Sequence, residues 1–276
     1  MKFFKNFSTF HKIFFLVFFT FNVGLSIIHV LQADNMQDAF SPLFLVSLVS
    51  SITGIFAAIY TARGQIFAYI WGIFNVSAYI FVSISGHMYG EVLLYVLYML
   101  PMQFVGFFAW RNSAKKSNSK TIEAKKMTKK HWIILGVFFV VFWGAYGTLV
   151  YNLPKVFDVL FGLTISHDKE FLIDSLTATL TVCAVVLTTN RFIEQWYLWI
   201  GADIIGIALY VISLVHQGEF SVSTLSGAMM WCQFTINSIY GFIVWRKLQS
   251  NSSKATNKVE KEELEPSQIN AARQQG

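Results

Sequence analysis

Residues 132–152 read WIILGVFFVVFWGAYGTLVYN, 21 positions without one Asp, Glu, Lys or Arg. Coiled as a helix at 1.5 Å per residue, such a run covers about 30 Å, the thickness of bilayer hydrocarbon, and it satisfies its own amides where no water can. Working outward, seven further stretches pass the same test, at 11–31, 42–61, 65–85, 90–110, 171–190, 194–215 and 221–245. The chain therefore reads as an all-α integral membrane protein of about eight transmembrane helices. Composition points the same way: 55% of the 276 residues are hydrophobic and 13% are charged, where a soluble domain carries roughly 25% charged residues. There are too few charges to clothe a globule of this size in water.

The first run follows Lys2, Lys5 and Lys12, as in a signal peptide, but it is too long for one and lacks a small-x-small cleavage site, so it reads as a retained helix. Charge then orients the whole. With a cytoplasmic N-terminus, eight spans leave 19 of the 21 Lys and Arg inside and only Lys155 and Lys169 outside, as the positive-inside rule demands. Both termini are expected in the cytoplasm of a cell (inner) membrane. The basic residues of 111–130 lie beside the inner leaflet, where anionic lipid accounts for them without a nucleic-acid partner. That Lys/Ser-rich connection and the Ser/Asn/Glu/Gln-rich tail read as mobile linkers. Cys183 and Cys232 fall inside spans and read as buried, inert thiols.

An offset of 128 residues superposes the second and third spans on the sixth and seventh: Ser47-Leu48 on Ser175-Leu176, Thr61 on Thr189, Arg63 on Arg191, Tyr69 on Tyr197, Trp71 on Trp199 and Asn75 on Asp203. In the fourth and eighth spans the register slips, and Gly106 to Arg111 (GFFAWR) best matches Gly241 to Arg246 (GFIVWR). Two parallel three-helix repeats need one helix between them, so the architecture is 1 + 3 + 1 + 3. The segments are an extra N-terminal helix (1–40), the first repeat (41–111), the basic loop with the linking helix and outer loop (112–170), the second repeat (171–247) and a disordered cytoplasmic tail (248–276). Parallel repeats of this kind place a transporter's substrate between the halves near mid-membrane.

The residues equipped for chemistry gather in Glu194-Gln195-Trp196-Tyr197-Leu198-Trp199-Ile200-Gly201-Ala202-Asp203. Trp196, Trp199 and Asp203, at i, i+3 and i+7, share one helix face, and Asp203 lies about 14 Å in from the cytoplasmic end. A mid-membrane carboxylate costs roughly 2.5–3.5 kcal/mol on insertion scales and marks a functional interior. Trp71 and Asn75 repeat the spacing in the first half. Gln233, Asn237 and Tyr240 form another face, and Gln103 sits beside the helix-bending Pro101. The bland alternatives are an interfacial tryptophan belt and amide glue between helices. Indoles and amides together make a pocket for a flat heteroaromatic ring, cationic or neutral, bearing a carboxamide or ribose. The six histidines fall near span ends and read as interfacial.

No phosphate-binding loop, His-Glu-x-x-His, Gly-x-Ser-x-Gly or Cys-x-x-Cys motif is present, so neither a cofactor, a metal nor ATP hydrolysis by this chain is expected. Glu194 and Asp203, about 13 Å apart along a helix and on opposite sides of it, do not form an acid–base pair. The segment Glu194-x-Trp196-x-x-Trp199-x-x-x-Asp203, with Asp174-Ser175 before it and Tyr240-Gly241 ahead of Trp245, resembles the PnuC family of bacterial nicotinamide riboside transporters over roughly 42–247. The resemblance implies a SWEET-like fold, a homotrimer and facilitated diffusion of nicotinamide riboside for NAD synthesis, made one-way by phosphorylation in the cytoplasm. It assigns Trp196, Trp199 and Asp203 to the riboside site, with Asn75 at the related place. Family members for this substrate tend to carry Asn where this chain has Asp203. A carboxylate there can accept ribose hydroxyls or balance a pyridinium charge, which leaves thiamine or another nucleoside as alternatives. A vitamin-capturing subunit of an ATP-driven importer is the reading from a different class.

Overall fold

Ser8, Ser41 and Thr128 each end an extended stretch and start a helix, their side-chain oxygens accepting the N–H of His11, Phe44 and His131. In the computed structural model, which describes residues 7–117, 119, 121–167, 171–217 and 230–251, these caps open α1 (Thr9–Gln32), α3 (Pro42–Ala62) and α7 (Lys129–Phe161). The remaining helices are a short α2 (Met36–Ala39), α4 (Phe67–Ser85), α5 (Tyr89–Leu94), α6 (Leu100–Ser117), α8 (Phe171–Thr189), α9 (Gln195–Gln217) and α10 over 230–251. Among the described residues there is no strand, only an isolated bridge between Lys125 and Phe192.

Six helical stretches among the described residues are long and apolar enough to cross a bilayer: Thr9–Gln32, Met36–Ala62, Phe67–Ser85, Tyr89–Lys116, Lys129–Phe161 and Phe171–Thr189. They cover the first six expected spans. The seventh, 194–215, coincides with helical α9. Of the eighth, 230–245 is helical in α10, while 221–229 lies outside the described residues, as do 252–276 of the expected tail. The outward faces are apolar: Leu16 and Val17 of α1 and Ile133, Val137, Val140 and Val141 of α7 are exposed. Apolar surface on this scale belongs against lipid, and the molecule is a multi-pass membrane protein.

Three features depart from the reading of the sequence. The linking helix does not stop at 152 but runs through Pro154 to Phe161, 33 residues in all, or about 50 Å, and ends on Gly162 in the left-handed conformation. Cys183 is buried as expected, but Cys232 is exposed on α10. The connection between α6 and α7 is not a free linker. Its ends are helical as far as Ser117 and from Lys129, and between them Ile122, Ala124 and Met127 are buried.

This strap is tied down through its backbone. Ile122 N donates to Gly64 O (2.9 Å), Lys125 N to Arg191 O (2.8 Å), Met127 N to Glu194 Oε1 (3.0 Å), and Ile193 N donates back to Lys125 O (3.0 Å). It thereby bridges the α3–α4 and α8–α9 turns. Each turn needs a residue in the left-handed region, Gly64 in the first and Arg191 in the second. For Arg191 that conformation is strained, and its guanidinium, which donates to Ser113 Oγ, helps hold it. Burial first, and then the charge of Arg191, lower the pKa of Lys125 from its usual value, with Glu123 opposing. At the other end of the path, one π turn (Tyr95–Met99) precedes Pro101, absorbing the hydrogen bond that proline cannot make.

Candidate substrate site between the helix pairs

The interior is held by two apolar clusters. One joins Phe7 and, from α1, Phe14 and Phe18 to Ile55 and Ile59 of α3 and to Trp110, Trp196 and Trp245; the other joins Val76, Leu94 and Met99 to Ala178, Val182 and Val185. Trp199 packs against both.

On α9, Trp196 is buried because Gly241 of α10 leaves room for it: a Cβ at Gly241 would overlap the indole ring. Its ring meets Trp245 edge-on at 5.9 Å, and its Nε1 has no hydrogen-bond partner. Two turns further on, Asp203 is 3% exposed and its Oδ2 accepts from Ser238 Oγ of α10 at 2.8 Å. Asn237, next to Ser238 in the chain, is also buried and its Oδ1 is unpaired; Gln233, one turn earlier, is buried too. The α9–α10 pair thus gathers two indoles, a carboxylate and two amides. Among the described residues three buried polar atoms of this pair are unpaired, Gln195 Nε2, Trp196 Nε1 and Asn237 Oδ1, although such atoms are ordinarily satisfied because leaving one bare costs about 1–3 kcal/mol.

The α4 counterparts are placed differently. Trp71 stacks on Phe56 at 4.6 Å and belongs to the same apolar cluster as Trp196 and Tyr240. Asn75, however, donates through Nδ2 to Ser50 O (2.8 Å) and Ser50 Oγ (3.3 Å) of α3. Its amide joins α3 to α4. Gln103 lies with Oε1 against Gly72 of α4, and its Nε2 donates to Met99 O at 3.4 Å. Spacing alone made Asn75 and Asp203 equivalent, whereas their partners do not.

Tyr240 is covered by α1. Phe10 stacks on its ring at 3.6 Å and 8°, His11 meets it edge-on at 5.0 Å, and its hydroxyl lies 3.1 Å from Ser8 Oγ. His11 is buried, not interfacial. The other residues that went unassigned are Trp110 and Trp245, both wholly buried, 5.7 Å apart, and reciprocal in their bonds: Trp110 Nε1 donates to Thr188 O (3.0 Å) and Trp245 Nε1 to Thr61 O (2.9 Å). Their matching GFFAWR and GFIVWR segments were the available signal. Glu194 Oε1 accepts from the strap, while its Oε2, also buried, has no hydrogen-bond partner. A groove of about 610 Å³ beside Leu16, Val17 and Phe21 of α1 is apolar and lies on the lipid-facing side, apart from these residues. Among the described residues no three His, Cys, Asp or Glu side chains are grouped to hold a metal.

Known proteins agree with this architecture. Residues 44–247 match the family model described as nicotinamide mononucleotide transporter. A nicotinamide riboside transporter PnuC of Neisseria mucosa is 30% identical over 217 residues, covering 78% of this chain and 76% of that protein. One of Haemophilus influenzae is 29% identical over 204 residues, covering 74% and 80%. A crystal structure described as that of the vitamin B3 transporter PnuC superposes with a TM-score of 0.65 at 27% identity, over 90% of this chain and 94% of that one. With its match to the family model, its curated relatives and its fold in agreement, this chain belongs to the PnuC family of membrane transporters.

Proposed function

We propose that the protein is a uniporter that imports nicotinamide riboside by facilitated diffusion, the product being trapped by phosphorylation in the cytoplasm. The observation that carries this reading is the α9–α10 arrangement, in which Trp196, Asp203, Gln233 and Asn237 are buried and Trp196 Nε1 and Asn237 Oδ1 are unpaired, with Trp199 on the same helix as Trp196. Trp199, half-buried between the clusters, offers a face for the pyridinium ring, worth roughly 0.5–2 kcal/mol in cation–π attraction. Asp203 balances that charge, and Asn237 takes a carboxamide or ribose hydroxyl. Tyr240 and Trp71 form the aromatic wall toward α1 and α3. Asn75 and Gln103, already bonded within the first helix set, serve as the more distant lining.

The same reading takes the chain as eight spans in a 1 + 3 + 1 + 3 order of parallel repeats, with both termini in the cytoplasm of a bacterial cell membrane and three copies assembled as a homotrimer. The reciprocal bonds of Trp110 and Trp245 support it, since each repeat then reaches across to a carbonyl of the other. The names of the relatives supply the substrate, and the carboxylate at 203 suits a cation.

Calorimetric titration of the purified protein in detergent with nicotinamide riboside, nicotinamide mononucleotide and thiamine tests it. Saturable heat from the riboside alone is expected. Binding of thiamine alone would keep the transporter and replace its substrate, and silence from all three would overturn the proposal. Uptake into proteoliposomes that stops at the external concentration, without an ion gradient, is the expected mark of a uniporter.

A further inference from the structure

α1 precedes the helices that carry Trp71, Trp199 and Asp203, and in its first turn Thr9 and Lys12 are exposed while His11 is turned inward, buried against Tyr240 of α10. Ser8 caps it, accepting the His11 N–H at 3.3 Å and lying 2.8 Å from His11 Nδ1 and 3.1 Å from Tyr240 Oη. The hydroxyl of Ser8 therefore links the imidazole to Tyr240 of α10. The ring is 3% exposed, and its Nε2 has no partner.

Capping does not account for this. α7 begins with the same motif: Thr128 Oγ1 accepts the N–H of His131 and lies 3.1 Å from its Nδ1. There the histidine is exposed, so its other nitrogen is free to meet water. Capping calls for a histidine three residues into the helix, but not for one buried with a bare nitrogen, which costs free energy that a phenyl ring in the same place would not. Phe14 and Phe18, both buried, and Phe10, partly so, show that this helix otherwise turns phenyl rings inward here. In either tautomer Nε2 lacks a partner, as donor or as acceptor. A group able to serve it in both cases is a hydroxyl, such as a sugar carries.

We infer that His11 of the N-terminal helix is a further substrate-binding residue, its Nε2 taking a ribose hydroxyl of the nucleoside beside Tyr240. The inference rests on the reading of the chain as a nucleoside transporter. It gives the extra helix a part in recognition, with Ser8 orienting the ring.

The test separates binding from packing by the sign of two measurements. His11→Phe keeps the ring's bulk and removes the nitrogen; His11→Gln keeps a side-chain donor and acceptor. Titrated with nicotinamide riboside, His11→Phe should bind about tenfold more weakly and His11→Gln within about threefold of wild type. Melted without ligand, His11→Phe should be at least as stable as wild type, because nothing polar is left bare. Wild-type affinity in His11→Phe would overturn the inference and leave the transporter reading intact. A parallel loss of affinity and melting temperature in both variants would assign His11 to packing and overturn it too. Failure of the wild type to bind the riboside would overturn both, and is read before any variant is made.

Discussion

Of the contacts between the first helix set and the second among the described residues, two are built from different materials. Where α6 meets α8, Trp110 donates to Thr188 O, Tyr98 to Val182 O, and the strap adds backbone bonds to both the Gly64 and Arg191 turns. Where α3 meets α10, Trp245 donates to Thr61 O, and the rest is side chain against side chain, Phe10 stacked on Tyr240 and Ser8 bonded to it. Backbone bonds hold their geometry to within a few tenths of an ångström and are costly to leave bare when buried. Aromatic contacts slide and re-form at small cost. The difference teaches that a relative movement of the two sets would hinge at the strap and open beside α1, the side on which Tyr240 and His11 lie.

Lys125→Pro makes the sharpest cut on the strapped side, removing the N–H that bonds Arg191 O and leaving that carbonyl bare. We expect a loss of about 3 kcal/mol, read as a lower melting temperature in detergent. An unchanged melting temperature would mean that the strap does not hold the two sets together. Trp110→Phe and Trp245→Phe compare the sides directly, since each strips one indole N–H from a buried carbonyl at a cost of about 2 kcal/mol. Equal destabilisation is expected, but with transport slowed only by Trp110→Phe, because the strapped side must stay together throughout the cycle. The smallest effect is that of Phe10→Ala, which gives up a stacked pair worth about 1 kcal/mol. Initial uptake into proteoliposomes should rise or hold, and a fall comparable to that of Lys125→Pro would erase the distinction between the two sides.

Much of this was legible in the sequence because the membrane imposes a coarse code. A charge-free run such as 132–152 has few alternatives to a spanning helix, and Asp203 stands out because carboxylates there are expensive. The strap was misjudged from its lysines and serines. The better signal was alternation, Ile122 and Ala124 inward with Glu123 and Lys125 outward, a period of two that docks an extended segment. Asn75 was matched to Asp203 by spacing, but spacing does not report that Ser50, 25 residues away, already occupies its amide. The repeated tryptophans at 110 and 245 were visible, while their exchange of bonds is a property of three-dimensional contact. Nor does any local pattern distinguish the buried His11 from the exposed His131, whose caps read alike.

The central claim is that Trp199, bridging the two clusters above Asp203, is where the nucleoside stacks. Side-by-side titration of wild type and Trp199→Ala with nicotinamide riboside, with the melting temperature of each recorded without ligand, tests it most directly. Trp199→Ala is expected to fold and to lose about 1–3 kcal/mol of binding free energy, roughly a 5- to 150-fold fall in affinity; a variant that folds and binds the riboside as tightly as wild type would remove Trp199 from the site.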